Sequence, residues 1–198
     1  MKFTRTLLYI TLLSSCGGLL GKQDYLDWFK TQRMYVSIIE QGGYFFEATF
    51  TPKELLMIRE WGEDLTDSLY KCHKHEYDSI RYFSLKIGAS DQSSNALKYN
   101  INTSNDYYKR LEYFAHNAQH NFYMEHNNQH VQCKIYHFER YYNTSPYDII
   151  LLGFPRFSEI DLTQKIYLKF YDAVLGVGAL SFDYSPTIMN NSPELKLN

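Results

Sequence analysis

The feature that most restricts the fold of this chain is a two-residue alternation of apolar and polar side chains. Apolar residues occupy every second position in residues 83–87, on the same face as Arg81, and again in residues 131–135. Successive side chains of a β-strand point to opposite faces of its sheet, so this pattern predicts strands with one buried face. Cys133 falls on the apolar face of the second segment, which predicts a buried cysteine.

Similar patterns recur along the chain and predict about eight short antiparallel strands. The segments with strand character are residues 34–40, 44–50, 80–87, 107–115, 121–126, 130–141, 148–154, 164–173 and 178–184. Residues 148–154 are apolar on both faces, which indicates a central strand. Turns are predicted at Gly42 and Gly43, which can take the positive φ of a tight hairpin, and at residues 116–120, 127–129 and 176–178.

Two or three helical segments interrupt the strands. Residues 23–34 are predicted to form either a brief helix or a lead-in to the first strand. Thr51, Pro52 and Glu54 have the spacing of an N-cap threonine, a first-turn proline and a capping-box glutamate, with Gly62 as the stop. A second short helical piece is predicted over residues 63–70. Together these elements predict a β-rich α+β fold, an antiparallel sandwich with one or two short helices after the first hairpin.

The aromatic content is high, with 19 tyrosines and 13 phenylalanines among 198 residues, mostly in the alternating segments. Aromatic side chains pack well across strands and in sheet cores. The other interpretation is a face of exposed rings that binds glycans. Both interpretations stay open from the sequence.

The N-terminus has the parts of a bacterial lipoprotein signal peptide. Lys2 and Arg5 precede an apolar stretch over residues 6–13, which is too short to span a bilayer. Leu13-Ser14-Ser15-Cys16 then has the form of a lipidation and cleavage box. We predict a signal peptide over residues 1–15, a lipid-anchored tether over 16–22 and one β-rich domain over 23–198. The alternative is an ordinary secretory signal with a coincidental cysteine.

Charge and cysteine content narrow the candidate partners. Without Lys2 and Arg5, the chain from residue 16 carries 18 basic and 22 acidic residues, a net charge of −4. No cluster of lysine and arginine indicates a nucleic-acid partner. Cys72 and Cys133 remain after lipidation of Cys16, and they form either a disulfide in an oxidising compartment or two free thiols.

Candidate chemical groups are sparse, and no catalytic set or cofactor motif is recognisable. His73 and His75 would share a face on a strand and are candidate ligands for Zn²⁺ or Cu²⁺, although a metal site needs at least one further ligand. The alternative interpretation is that both are solvated histidines of a loop. Four carboxylates lie in or beside predicted strands, and two of them in one cleft would suit glycoside hydrolysis. These are Glu139, Asp148, Asp161 and Asp172.

Several short motifs together resemble a known group of proteins. The motifs are Gly43-Tyr44-Phe45-Phe46, Thr51-Pro52-Lys53-Glu54, Tyr108-Lys109-Arg110-Leu111-Glu112-Tyr113, Cys133-Lys134-Ile135-Tyr136-His137-Phe138-Glu139-Arg140, Leu152-Gly153-Phe154 and Tyr171-Asp172. This order is similar to small, uncharacterised lipoproteins of Bacteroidetes-type bacteria. The resemblance adds no catalytic residue.

The resemblance implies acylation of Cys16, palmitate among the chains, and an address in the cell envelope. The residues directly after Cys16 lack the aspartate associated with inner-membrane retention in enteric bacteria. They also lack the acidic run associated with surface export in Bacteroidetes. Both absences favour the periplasmic face of the outer membrane. It also suggests O-glycosylation at Ser68 and Ser79.

We therefore expect a non-enzymatic, membrane-tethered interaction or assembly component of the envelope, with other envelope proteins as partners and no cofactor. Such a protein needs an exposed apolar or edge-strand surface. The alternative is an envelope glycan-binding protein or carboxylate-dependent hydrolase, which leaves enzymatic activity open.

Overall fold

The computed structural model describes residues 18–139, 145–190 and 192–197. Its strands are β1 (Val36–Gln41), β2 (Tyr44–Thr51), β3 (Ile80–Ala89), β4 (Phe122–His126), β5 (Gln129–Gln132), β6 (Ile135–Glu139), β7 (Tyr147–Pro155), β8 (Ile166–Tyr171) and β9 (Ala179–Tyr184). Its α-helices are α1 (Lys22–Thr31), α2 (Lys53–Trp61), α3 (Asp67–Asp78), α4 (Ser104–Glu112) and α5 (Pro186–Asn190). Short 3₁₀ turns cover Arg33–Tyr35, Gly62–Asp64 and Ala118–Asn121, and a π-helical turn covers Tyr113–Asn117.

The strands of the described residues form two antiparallel sheets. One has five strands in the order β1-β2-β3-β7-β6, and the other has four in the order β5-β4-β8-β9. Their inner faces supply one continuous hydrophobic core. The β-rich α+β sandwich predicted from the alternating pattern is therefore confirmed.

Aromatic rings fill much of the space between the sheets. Phe122 and Phe170 stack with ring centroids 4.3 Å apart on neighbouring strands. Tyr184 of β9 reaches across the core, where its ring lies 5.3 Å from that of Phe83. Its hydroxyl donates a 2.8 Å hydrogen bond to the carbonyl oxygen of Ala48 in the other sheet. These rings show the packing role that a high aromatic content predicts.

The chain passes from one sheet to the other between β5 and β6. The prediction of a single strand over residues 130–141 is wrong for its described part, because β5 and β6 belong to different sheets. Cys133 N–H donates to Phe122 O of one sheet at 3.3 Å, and Lys134 N–H donates to Gly153 O of the other at 2.8 Å. The chain therefore leaves the four-stranded sheet after Cys133 and joins the five-stranded sheet at Lys134. Cys133 is buried, as predicted.

The first hairpin and the helices after it follow the prediction with one correction. Gly42 and Gly43 have φ values of 63° and 81°, and Gly62 ends α2 with φ 52°. Thr51, however, is the last residue of β2 and does not cap α2, which begins at Lys53 with Pro52 at the N-cap position. Glu54 closes no capping box with Thr51. Its buried carboxylate accepts hydrogen bonds from other parts of the chain.

Three helices pack together around a second, smaller hydrophobic cluster. Tyr25 of α1, Leu55 and Ile58 of α2, and Tyr70 of α3 are buried in it, together with Leu195 of the C-terminal segment. The helix predicted over residues 23–34 is confirmed by α1. The second short helical piece is present as α3, which starts later than predicted and extends to Asp78.

The strand predicted over residues 107–115 is wrong. This segment forms most of α4 and the π-helical turn that follows. A complete capping box begins α4: the Thr103 side chain accepts from Asp106 N–H, and the Asp106 carboxylate accepts from Thr103 N–H. These reciprocal bonds satisfy donors that a helix start otherwise leaves unpaired.

The start of the described chain is attached to its C-terminal segment. Leu20 and Leu195 form a parallel bridge in which Leu20 N–H donates to Glu194 O at 2.9 Å and Lys196 N–H to Leu20 O at 2.8 Å. The predicted signal peptide and Cys16 lie outside the described residues. Within those residues, the helices are too short or too polar to traverse a bilayer.

Candidate functional site

A groove of about 610 Å³ lies on the outer face of the five-stranded sheet, the face turned away from the core. We call it the outer-face groove. It is lined by Leu56, Arg59 and Glu60 of α2, Tyr77 of α3, Tyr82 and Ser84 of β3, Ile149 and Leu151 of β7, and Ile135, His137 and Glu139 of β6. Its volume is within the usual range for small-ligand and peptide-side-chain sites, about 300–1,000 Å³.

The floor of the groove is aliphatic because β7 carries apolar residues on both faces. Ile150 and Leu152 point into the core, whereas Ile149 and Leu151 point outward. Leu151 is flanked by Ser84 on β3 and His137 on β6, directly opposite it in the register. Half-exposed aliphatic side chains on a sheet face gain free energy when a partner covers them.

A glycine shapes one end of the floor. Gly153 lies between Tyr82 and Ile135 in the register. A Cβ atom there would lie 2.8 Å from Cβ of Ile135 and 3.1 Å from Cγ2 of Ile80. Only glycine allows this close approach, so the position of Ile135, which lines the groove, depends on it.

The helical wall combines aromatic rings with a carboxylate. The Tyr77 hydroxyl donates a hydrogen bond to Glu60, and the Tyr77 ring lies 6.2 Å from that of Tyr82. Burial, together with the Glu60 hydrogen bond and charge, raises the pKa of Tyr77 above its usual value. Burial and the charges of Glu76 and Glu60 raise the pKa of Tyr82 as well. Both hydroxyls therefore stay protonated donors at neutral pH.

Opposite charges meet across the groove. Partial burial lowers the pKa of Arg59, and the carboxylate of Glu139 opposes this effect. Arg59 belongs to α2, whereas Glu139 ends the edge strand β6, so the two charges come from opposite sides of the groove. Counting Glu60, the lining carries one positive and two negative charges when His137 is neutral.

The groove reaches a sheet edge. Ile135, His137 and Glu139 all belong to β6, which pairs only with β7 among the described residues. Ile135 is 41% exposed, and His137 is also exposed. An edge strand offers backbone N–H and C=O groups to a further strand, so this site combines an apolar floor with an available edge.

The predicted site residues lie elsewhere, with one exception. Cys72 is exposed on α3 and Cys133 is buried in the core, and both are free thiols. Of the two alternatives that the sequence left open, a disulfide or two free thiols, the structure has two free thiols. The Cys133 thiol donates to the carbonyl oxygen of Ile135 at 3.1 Å.

The metal candidates and Ser68 lie on α3, and Ser79 is the C-cap residue of this helix. His73 and His75 are on a helix, so residues two apart point in different directions and not to one face as on a strand. His73 instead lies 3.4 Å from Glu76, and no group of three metal-ligating side chains occurs among the described residues. Ser68 and Ser79 are exposed, and their glycosylation stays a prediction.

Of the four carboxylates, only Glu139 lines the groove. Asp148 is buried and accepts from Leu97 N–H, Asp161 accepts from Thr163, and Asp172 accepts from the backbone of its own loop. Separate local hydrogen bonds thus account for three of them, and no described cleft brings two of the four together.

Sequence reasoning missed the residues of the helical wall. Arg59 and Glu60 belong to the predicted first helix after the hairpin and Tyr77 lies beyond the predicted second helical piece, and no motif singled out any of the three. One signal was available: Ile149 and Leu151 are apolar on the face of β7 that the core does not use. Such residues indicate that something covers that face.

Comparison of the chain with protein-family models, with curated proteins and with solved structures gave no match. The resemblance to Bacteroidetes-type lipoproteins stays a prediction.

Proposed function

We propose that this chain is a lipid-anchored, non-enzymatic envelope protein that binds an extended segment of another envelope protein in the outer-face groove. The observation that carries the proposal is the aliphatic floor of the groove, which continues to the edge strand β6. Strand addition at a sheet edge gives affinity through main-chain hydrogen bonds and specificity through alternate side chains.

The geometry of β6 determines how such a segment would lie. Ile135, His137 and Glu139 alternate along the face that lines the groove. A strand added to β6 would place every second side chain on this same face. Apolar side chains of the partner would then extend the row formed by Ile135 and Leu151.

The charges of the groove favour a partner with a basic residue. Glu60 and Glu139 outweigh Arg59 by one negative charge, and the rings of Tyr77 and Tyr82 add faces that attract cations. We therefore propose a partner segment in which apolar residues alternate with at least one lysine or arginine. Charge complementarity of this kind contributes to orientation and to the rate of association.

The anchor part of the proposal rests on the sequence. Cys16 would carry the lipid, and two or three acyl chains would hold the protein at the membrane. The proposed envelope address rests on the same motif, and the proposed periplasmic face of the outer membrane rests on the residues directly after Cys16, which include neither an aspartate nor an acidic run. Cys16 is only four positions before Leu20, where contacts with the rest of the domain begin.

Site-specific photo-crosslinking in intact cells tests the groove. A benzophenone amino acid at position 137 is expected to capture a protein of defined mass. Peptide mapping of the adduct should find an alternating apolar segment with a basic residue. Leu151→Asp, on the groove floor, should abolish the adduct. Ile38→Asp, on the same sheet face but outside the groove, is the matched control and should keep it.

A charge reversal at the rim provides a second variant that leaves the floor intact. Glu139→Lys should reduce the adduct because it removes the attraction for a basic partner. The proposal fails if the adduct survives both Leu151→Asp and Glu139→Lys, or if Ile38→Asp removes it equally. Circular dichroism must show that the variants remain folded.

A second candidate, an envelope glycan-binding protein or carboxylate-dependent hydrolase, is favoured by one observation. Glu60 and Glu139 line the same groove as Tyr77 and Tyr82. Glycoside hydrolysis canonically uses a pair of carboxylates that flank the scissile bond, and exposed aromatic rings can stack on sugars. Loss of polysaccharide turnover in both Glu60→Gln and Glu139→Gln would support this candidate over the first.

A further inference from the structure

A second pocket, of about 240 Å³, lies at the end of the sandwich where β3 begins. Lys53, Arg81 and Arg156 line it together with Asp78, Glu54 and Glu194. It is separate from the outer-face groove, since the two share no lining residue. We call it the basic pocket.

Three basic side chains of the basic pocket converge on one carboxylate. Lys53 Nζ lies 3.1 Å from Asp78 Oδ1, and a guanidinium nitrogen of Arg156 lies 3.4 Å from Asp78 Oδ2. Arg81 is more distant, at 4.0 Å from Oδ1, and it also donates to the backbone carbonyl oxygen of Asp78 at 3.3 Å. Lys53 also lies 3.5 Å from Oε1 of Glu54, so Asp78 is the carboxylate that the two arginines share.

Arg81 is the least compensated of these groups. The residue is 6% exposed, and its Nε has no hydrogen-bond partner among the described residues. Burial and the charge of Arg156 lower the pKa of Arg81 to about 10, against the opposing charges of Asp78 and Glu54. A buried guanidinium with an unused donor is costly unless an anion reaches it.

The remaining carboxylates have their own partners. Glu54 pairs with Lys53 at 3.5 Å and also accepts hydrogen bonds from the Tyr70 hydroxyl at 3.2 Å and from Ser192 at 3.3 Å. Glu194 is paired with Lys74 at 2.7 Å. Counting Lys74, four basic and three acidic side chains leave one positive charge at the basic pocket.

The basic pocket also lies beside the point where the tether leaves the domain. Glu194 lines the pocket, and its carbonyl oxygen accepts from Leu20 N–H at 2.9 Å. Four residues span at most about 14 Å of extended chain. A chain anchored through Cys16 would therefore hold the basic pocket close to the membrane surface.

We propose that the basic pocket binds a phosphate group through Arg81, Arg156 and Lys53. Guanidinium groups bind phosphate oxygens in a bidentate manner, and lysine adds a point charge. The phosphate comes either from a phospholipid headgroup at the membrane surface or from free inorganic phosphate. Only the headgroup source depends on the lipid anchor.

Thermal unfolding of the full-length chain carrying Cys16→Ser tests the proposal with inorganic phosphate. Saturable stabilisation is expected with phosphate but not with chloride at equal ionic strength. Arg156→Ala should weaken the apparent affinity about tenfold or more, because a charge-assisted hydrogen bond is lost. Lys71→Ala removes the same charge from an exposed position outside the pocket and should have no effect.

Sedimentation with vesicles distinguishes the two sources. Binding to phosphatidylglycerol vesicles, and not to vesicles of an uncharged galactolipid, that depends on Arg156 identifies a headgroup phosphate. Stabilisation by inorganic phosphate without Arg156-dependent vesicle binding identifies the free anion. The proposal is overturned if Arg156→Ala and Lys71→Ala behave alike with both probes. None of these substitutions touches the outer-face groove, so that result would leave the groove proposal standing.

Discussion

Substitution of Asp172 tests whether its carboxylate stabilises the loop after β8. The residue is 5% exposed, and its carboxylate accepts hydrogen bonds from three backbone N–H groups. Oδ1 accepts from Val174 at 3.0 Å and from Leu175 at 2.9 Å, and Oδ2 accepts from Leu175 at 2.9 Å and from Val177 at 3.0 Å. In Asp172→Asn, one oxygen becomes an NH₂ group. Whichever way the amide turns, either Val174 or Val177 loses this acceptor and faces a donor.

The expected cost follows from that geometry. One buried N–H without its acceptor costs about 1–3 kcal/mol, and hydrogen bonds to a charged group are at the upper end. We therefore expect Asp172→Asn to lower the free energy of unfolding by about 2–3 kcal/mol. In a chain of this size, each kcal/mol lowers Tm by about 2–4 °C, so Tm should fall by about 4–12 °C. Urea and thermal denaturation followed by circular dichroism measure both quantities.

Asp183→Asn is the matched control. It makes the same chemical change on β9, where Asp183 is half exposed and paired with Lys165. An exposed ion pair contributes about 0–1 kcal/mol, so this variant should unfold almost like the wild type. Equal unfolding free energies for the two variants would refute the assignment of Asp172 as the residue that holds the loop.

Four further predictions concern other parts of the chain. Phe83→Ala, which removes a ring in contact with three other aromatic rings, should lower the free energy of unfolding by about 3–5 kcal/mol in urea denaturation. At about pH 8, iodoacetamide should modify Cys72 but not Cys133 in the folded protein, because burial raises the pKa of Cys133 to about 11; equal labelling by mass spectrometry would contradict this. Burial opposes ionisation of Asp78, but the Lys53 hydrogen bond and charge, aided by two arginines, lower its pKa overall. The Asp78 carboxyl therefore has a higher pKa in the unfolded chain than in the folded protein. Its contribution to the free energy of unfolding is complete above about pH 4 and is lost as pH falls through the lower folded pKa. Asp78→Asn should therefore lose less stability on acidification than the wild type, and an equal loss would be inconsistent with this sign. Intact mass of the membrane-extracted protein should give a chain that begins at an acylated Cys16, whereas Cys16→Ser should leave the membrane fraction.

The strands could be predicted from the sequence wherever one face of the strand is buried and the other is exposed to solvent. β3 shows this alternation from Ile80 to Ile87, and the first hairpin is marked by Gly42 and Gly43. Residues 107–115 were misread because their tyrosines favour strands by propensity, whereas the capping box at Thr103 and Asp106 determines a helix. Local hydrogen bonding at a helix start outweighed side-chain propensity in this segment.

The groove could not be predicted, because its walls are far apart in the chain. The charges of Arg59 and Glu139 interact in the folded protein, although the two residues are 80 positions apart in the sequence. No local sequence pattern links them. The same holds for the basic pocket, where Lys53 and Arg156 meet only at Asp78. The sequence did indicate that β7 is apolar on both faces, which is the part of the site that depends on periodicity alone.

The bridge between Leu20 and Leu195 determines where mechanical load would enter an anchored domain. Tension from a lipid on Cys16 would reach the two backbone hydrogen bonds of this bridge first, and then the contacts of Lys22 Nζ with the carbonyl oxygens of Gly62 and Glu63. The sandwich would carry force only after these had given way. Under tension, the hydrogen bonds between Leu20 and the C-terminal segment would therefore break before the two sheets are strained.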